Sequence, residues 1–320
     1  MTDAVRSNAN EFGENMERNN EQNAGMDNDV IIVGGSYAGL SAALQLARAR
    51  RNVVIVDAGN RRNRYAETSH GFLTHDGDPA MEIADRARGE VMAYPTVRWI
   101  EDTAQTASAD GDRFVVTLES GTTCTASRLV LASGVVDHLP SIHGLAERWG
   151  KSVFHCPYCH GYELHEGYIG VLATSEASMH HGLMLPDWGK VTFFINESFT
   201  PDPEQLAQLQ SRGASIEREP IARITGDQAR VELCDGRVIA LDGLFTIPST
   251  TLANTLAEQL GCTIEEGSAG PYIQTDLSKA TSVSGVFACG DAARPSGSVA
   301  SAVGDGAVAG VATHLSLVFD

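Results

Sequence analysis

Residues 30–39 read Val30-Ile31-Ile32-Val33-Gly34-Gly35-Ser36-Tyr37-Ala38-Gly39, and what they fold into governs the rest of the chain. The apolar, β-branched run predicts a short buried strand, and the amphipathic stretch from Leu40 to Arg50 predicts a helix behind it. Val53-Val54-Ile55-Val56 supplies a second strand that ends at Asp57. Together these make a βαβ unit. Gly34 and Gly39 fill the first and last positions of G-x-G-x-x-G, with Ser36 at the usual middle glycine and Ala38 just before the last. The tight turn and the close helix–strand approach rest on Gly34 and Gly39, so a dinucleotide reading survives Ser36. Asp57 lies 18 residues past Gly39, near the roughly 20 at which a carboxylate takes a ribose diol. A carboxylate there prefers a free 2′-hydroxyl, which suits FAD or NAD. A glycine-rich turn with no ligand is the plainer alternative.

Cys156-Pro157-Tyr158-Cys159, followed by His160-Gly161-Tyr162-Glu163, is the second decisive stretch. Two thiols this close at the start of a helical turn can cycle between dithiol and disulfide, and a helix N-terminus and a nearby imidazole both favour the thiolate. Structural zinc is the competing use of such a pair. It needs two further ligands, and the chain holds no second CxxC or CxxH, although His155 and His160 flank the pair. Redox exchange is the better expectation, with no metal bound. Cys124, Cys234, Cys262 and Cys289 are isolated and read as small buried hydrophobes.

The chain has 320 residues, enough for two domains, with 42% hydrophobic and 20% charged residues, the balance of a globular protein. A net charge of −18 argues against nucleic acid or an anionic membrane as partner, because both need clustered Lys and Arg. No apolar run is expected to approach the length of a membrane span and no signal pattern opens the chain, so a cytoplasmic protein is expected. Residues 1–28 are Asn-, Glu- and Asp-rich and are expected to be a disordered tail.

Further strands are expected over Arg113–Leu118, Arg128–Ser133, Tyr168–Ala173, Val191–Ile195 and the segment Val286-Phe287-Ala288-Cys289-Gly290-Asp291, while Leu241–Pro248 is expected to lead back toward the first domain. A helix around Glu176–Leu185 joins the middle pair into a second βαβ unit, and a helix of small residues over Ser298–Leu317 closes the chain. The second unit is informative for what it lacks. Its turn reads Ala173-Thr174-Ser175-Glu176-Ala177-Ser178, without the glycines that let a backbone approach a pyrophosphate. Asn196-Glu197-Ser198 stands where arginines would hold a 2′-phosphate, and Glu197 would repel one. An unusual loop that still takes a nicotinamide cofactor remains the alternative.

The order of these features resembles the low-molecular-weight thioredoxin reductase family, over essentially all of the chain from Asp29 to Asp320. The strings CPYCHGYE and GGSYAGLSAA resemble a narrower branch. That branch holds the flavoprotein dithiol oxidases that close disulfides in gliotoxin, holomycin and romidepsin, with the bacterial romidepsin-type enzyme nearest. The resemblance implies an α/β fold of two Rossmann-like nucleotide-binding domains, the second inserted into the first. It implies a discontinuous FAD domain over 29–140 and 250–320, and an inserted domain over 141–249 that carries the CxxC pair on a degenerate NADPH-type fold. FAD would lie against Gly34, Ser36, Ala38 and Gly39, with Asp57 on the adenosine ribose, Gly290 and Asp291 on the flavin's ribityl or phosphate side, and Ser298 and Val299 at the pyrimidine end. The family has Arg-Gln where this chain has Gly297-Ser298, and Asp where it has His160. A homodimer is the family's usual state.

The activity so implied is oxidation of a small natural-product dithiol to its intramolecular disulfide. Cys156 would be the attacked sulfur and Cys159 the sulfur facing FAD, with molecular oxygen as final acceptor and hydrogen peroxide as product. His160 adjoins Cys159 and, with an ordinary imidazole pKa of about 6.5, could accept a thiol proton near neutrality; a helix-start histidine bonded to backbone is the equal alternative. Two other functions stay open: an NADPH-dependent thioredoxin or disulfide reductase, and a non-enzymatic flavin-bound redox sensor.

Overall fold

Parallel pairing of the apolar runs builds both halves of the molecule. The computed structural model describes residues 27–320; of the expected tail, residues 1–26 lie outside them, and Asn28 already opens β1 (Asn28–Val33). The chain forms two compact units. The first comprises residues up to Arg62, Met81–Val136 and Thr251–Asp320; the second comprises Asn63–Ala80 and Asp137–Thr250. The sequence reading put the whole of 29–140 in one domain. The segment Asn63–Ala80 belongs instead with the second unit, because its contacts are made there by residues far ahead in the chain, such as His70 to Glu163.

In the first unit β1 leads through the glycine turn into α1 (Tyr37–Arg48) and β2 (Val53–Asp57). α2 (Ala80–Met92), β3 (Val97–Glu101), β4 (Ala104–Asp110), β5 (Arg113–Leu118) and β6 (Thr123–Leu131) follow. β1 lies between β2 and β6, parallel to both, with Ile32 opposite Ile55 and Val33 opposite Leu131. Its side chains alternate between two cores: Ile31 and Val33 pack with Val54, Val56 and Leu131, while Val30 and Ile32 pack with Val53, Ile55 and Leu46. A strand covered on both faces can be apolar at every position, which is why it reads as a continuous run.

The second unit opens with β7 (Val153–Phe154), the single turn α3 (Pro157–His160), β8 (Tyr168–Leu172) and α4 (Met179–Met184). β9 (Lys190–Phe194), α5 (Pro203–Ser211) and β10 (Ser215–Glu217) complete a second βαβ pattern. An antiparallel sheet of β11 (Ile221–Thr225), β12 (Arg230–Leu233) and β13 (Val238–Ala240) precedes β14 (Gly243–Thr246). The main sheet runs β7-β14-β8-β9-β10, all parallel.

The chain then returns to complete the first sheet. β15 (Val286–Ala288) pairs in parallel with the end of β6, setting Ala288 opposite Leu131 on the edge whose earlier part carries antiparallel β5. The sheet order is β3-β2-β1-β6-β5-β4, with β15 on β6. The last helix, α6 (Val299–Phe319), corrects one expectation: its 21 residues and mean hydropathy of 1.4 give it the length and apolar character of a membrane span. Small residues account for its composition. Gly306 and Gly310 lie against the backbone of Ala38 and Ala42, so a side chain at either would strike α1. Both units are Rossmann-like, and the fold is α/β with the second unit interrupting the first.

Candidate functional site

In the first unit the glycine turn is shaped by close approaches. Gly34 has φ +104°, and a Cβ there would run into the Ala132 carbonyl; a Cβ on Gly39 would fall on the Gly34 carbonyl oxygen. Ser36 is the N-cap of α1 but makes no side-chain cap, so the first-turn N–H groups of this 12-residue helix have no hydroxyl acceptor. Such N–H groups, at the positive end of a helix dipole, suit a pyrophosphate. Asp57 accepts a hydrogen bond from the Gly35 N–H at 2.9 Å. That bond aims the carboxylate at the turn and leaves its second oxygen for a ribose hydroxyl.

The C-terminal signature reaches the same turn. Gly290, at φ +70°, sits where a Cβ would meet the Ala38 Cβ at 2.7 Å. Asp291 Oδ2 accepts from Arg62 Nη1 at 2.7 Å, and Gly297 packs against the other carboxylate oxygen. Ser298 caps α6 with a reciprocal Ser298–Ser301 arrangement, and Val299 is its first residue. Gly34, Ser36, Ala38, Gly39, Asp57, Gly290 and Asp291 are thus gathered at the ends of β1, β2 and β15. A cradle whose glycines a Cβ would fill, with an uncapped helix terminus and a ribose carboxylate, fits FAD. Sequence reasoning missed Gly35, Arg62 and Gly297. The Gly34-Gly35 pair was a readable hint of the first, but nothing local marks Arg62 as the partner of a residue 229 positions away.

In the second unit Cys156 and Cys159 are joined as a disulfide, with Cα atoms 5.3 Å apart, so the zinc alternative does not describe this state. Cys156 is the N-cap of α3 and Pro157 its first residue. α3 has only four residues, so its dipole adds little to thiolate stability, less than the sequence reading expected. Both sulfurs belong to half-buried residues. The turn is wedged by aromatic rings: His160 stacks on Phe154 with centroids 4.3 Å apart, and Tyr158 meets Trp188 edge-on at 5.3 Å. A Cβ on Gly161 would lie 2.7 Å from Trp188, so the glycine after His160 is what admits the indole.

His160 is not an ordinary imidazole. Burial, then the nearby His155 and His70 rings, push its pKa down to about 4. It is therefore neutral at pH 7, able to accept a proton but not to hold one. His181, on α4, is marked by no motif in the sequence. It is 5% exposed, touches Phe245 edge-on and reaches the His155 backbone, while its Nδ1 has no partner. Its pKa also falls to about 4, chiefly by burial. Three other thiols are made inert by burial, which raises Cys124 and Cys262 and pushes Cys289 up to about 12. Cys234 is exposed, contrary to its reading as a buried hydrophobe.

The turn after β8 is closed by its own side chains. Ser175 Oγ accepts from the Ala177 N–H, Ser178 Oγ accepts from the Thr174 N–H, and Thr174 Oγ1 donates to the Ile247 carbonyl. Glu176 is held by Gln205 Nε2 at 2.6 Å, and Glu197 occupies a left-handed turn at φ +54°. The Thr174, Ala177 and Ser178 N–H groups of this turn are thus engaged within the protein, unlike the uncapped start of α1 at Ser36.

Residues 28–176 match the pyridine nucleotide-disulphide oxidoreductase family. The chain is 34% identical over 303 residues to thioredoxin reductase sirT of Leptosphaeria maculans, covering 88% of this chain and 92% of that protein. Among solved structures, an oxidoreductase from Agrobacterium tumefaciens is 55% identical with a TM-score of 0.89, over 92% of this chain and 99% of that one. A protein named HlmI is 36% identical with a TM-score of 0.86, over 91% and 93% of the two chains. An FAD cradle, a redox disulfide and these likenesses agree, and the chain belongs to the thioredoxin reductase family of FAD-binding pyridine nucleotide-disulphide oxidoreductases.

Proposed function

We propose that the protein is an FAD-dependent dithiol oxidase that closes an intramolecular disulfide in a small dithiol. The observation that carries this reading is the contrast between the two turns: glycine-built with an uncapped helix at residues 34–39, glycine-free and self-capped at 173–178. The first is suited to a dinucleotide and the second is not, so the reducing electrons are better supplied by a dithiol than by NADPH. The likeness to HlmI, over 91% of this chain, supports the same branch.

In this reading one substrate thiolate attacks Cys156, forming a mixed disulfide and releasing Cys159 as thiolate. The second substrate thiolate then attacks the substrate sulfur of that mixed disulfide. The cyclic disulfide leaves, and the electron pair stays on the enzyme as a dithiol. Neutral His160, stacked on Phe154, accepts a thiol proton transiently and passes it on, because a pKa of about 4 gives it little hold at pH 7. FAD, which the 34–39 turn, Asp57, Gly290 and Asp291 would hold, would supply when bound an acceptor for the two electrons and two protons of the enzyme dithiol and a route for them to O₂, which becomes hydrogen peroxide. A cytoplasmic homodimer completes the proposal. The use of α6 as a packed helix against α1 speaks for a protein outside the membrane, and Val308, Val311 and Leu315, partly exposed on α6, give a second copy an apolar face to meet.

A second reading, NADPH-dependent disulfide reduction, is favoured by the names of the relatives and by the pyridine nucleotide family match. The self-capped turn stands against it. Cys159→Ser tests the proposed route: flavin reduction by a small dithiol should fall by at least about a thousandfold while FAD stays bound. Reduction at the wild-type rate would remove Cys159 from the path.

A further inference from the structure

Among the residues of the disulfide turn, one side chain is placed unlike the rest. Pro157 is buried and His160 lies flat on Phe154, but the Tyr158 ring is 73% exposed. It is nonetheless held, because the Trp188 indole meets it edge-on at 90° and is itself wedged against Gly161. A large aromatic ring that is both fixed and open to solvent is already arranged to take a flat partner, with little ordering left to do on binding.

The surroundings extend this surface. Tyr162, four residues on, is 81% exposed. The segment Asn63–Ala80 passes beside the turn: a methyl on Gly71 would lie 4.0 Å from the Tyr158 carbonyl, and His70 Nδ1 lies 3.4 Å from Glu163 Oε1. That segment presents Leu73 at 86% exposure. Tyr158, Tyr162 and Leu73 are thus three large side chains open to water on the disulfide turn and the segment beside it, and they mark a contact surface.

We propose that the Tyr158 ring, held by Trp188, is the platform on which the apolar frame of the substrate stacks, so that the enzyme selects dithiols carried on flat, aromatic or heteroaromatic skeletons. The proposal rests on the dithiol-oxidase reading and adds the substrate class to it. Because Tyr158 lies between the two cysteines in sequence, a frame stacked there keeps its thiols beside the bond they must open. No new bond chemistry is required.

Two probes isolate the frame. Dithiothreitol and 1,2-benzenedimethanethiol carry their thiols on four-carbon spans and both close six-membered cyclic disulfides, so they differ mainly in the flat ring. The quantity to measure is the ratio of kcat/KM for the aromatic dithiol to that for dithiothreitol, followed by peroxide release. Wild-type protein should favour the aromatic probe. In Tyr158→Ala the ratio should fall about tenfold, through KM for the aromatic probe, while Tyr158→Phe retains it. Trp188→Ala should lower it in the same direction by releasing the ring. An unchanged ratio in Tyr158→Ala, or equal slowing with both probes, overturns the platform. Should Trp188→Ala not fold, Tyr158→Ala decides, since that side chain is largely in solvent. If the wild-type flavin is reduced by neither dithiol, the oxidase reading itself falls and takes the platform with it.

Discussion

His160 shows how a residue's chemistry is set by what it is packed against. The sequence puts an imidazole beside a reactive cysteine and leaves its pKa at the ordinary value. Burial, then the nearby His155 and His70 rings, bring it down to about 4. A base must be unprotonated to act, so a lowered pKa extends activity toward acid. The rate of flavin reduction by a dithiol, after allowance for ionisation of the substrate thiol, should show no break near pH 6.5 and should fall only as pH approaches 4. A clear break near 6.5 that vanishes in His160→Asn would show an ordinary imidazole instead. At neutral pH His160→Asn should slow reduction by about a hundredfold, the usual scale of a lost acid–base group. The motif made His160 visible; the burial that detunes it carries no motif and is known only from the fold.

At the scale of elements, the glycine turn and α1 were legible because their requirements are local. Gly34 needs glycine for its φ of +104° and Gly39 for its approach to the Gly34 carbonyl, both local demands, and β1, α1 and β2 fall close to where periodicity puts them. Gly39→Ala should therefore yield protein with little bound FAD, read as the ratio of flavin to protein absorbance, because its Cβ would occupy the space of the Gly34 carbonyl. Full flavin occupancy would contradict the cradle. α4 was less legible: the helix expected over 176–185 is divided into a short 3₁₀ turn over Glu176–Ser178, capped by Ser175, then Met179–Met184, then a second turn that holds Pro186. His181 lies on that broken helix with its pKa lowered from about 6.5 to about 4. The unfolded chain binds its proton below about pH 6.5 while the folded chain does not, so stability falls as pH drops through that window and is fully present above it. For so buried a ring the loss reaches about 3 kcal/mol by pH 4. Melting temperature measured from pH 7.5 to 4.5 should decline, and His181→Gln should decline less steeply. Parallel curves for the two proteins would show that His181 is not the group responsible.

For the whole molecule, the two βαβ units and their order were readable, since each announces itself by strand, turn and helix in sequence. The membership of Asn63–Ala80 was not, because the segment is tied to the second unit by contacts such as His70–Glu163 that span about ninety residues. α2, β3, β4 and the antiparallel β11–β13 sheet likewise lacked a pattern strong enough to stand out from loop. The proposed loss of a nicotinamide site rests on missing glycines and on the seryl caps at Thr174 and Ala177. That loss is the central claim. Its most direct test is flavin absorbance under anaerobic conditions, with NADPH added to one sample and a small dithiol to another, then air admitted and peroxide assayed. The dithiol should bleach the flavin and NADPH should not, with colour and peroxide returning together in air. Rapid bleaching by NADPH would contradict the account and make the protein a reductase.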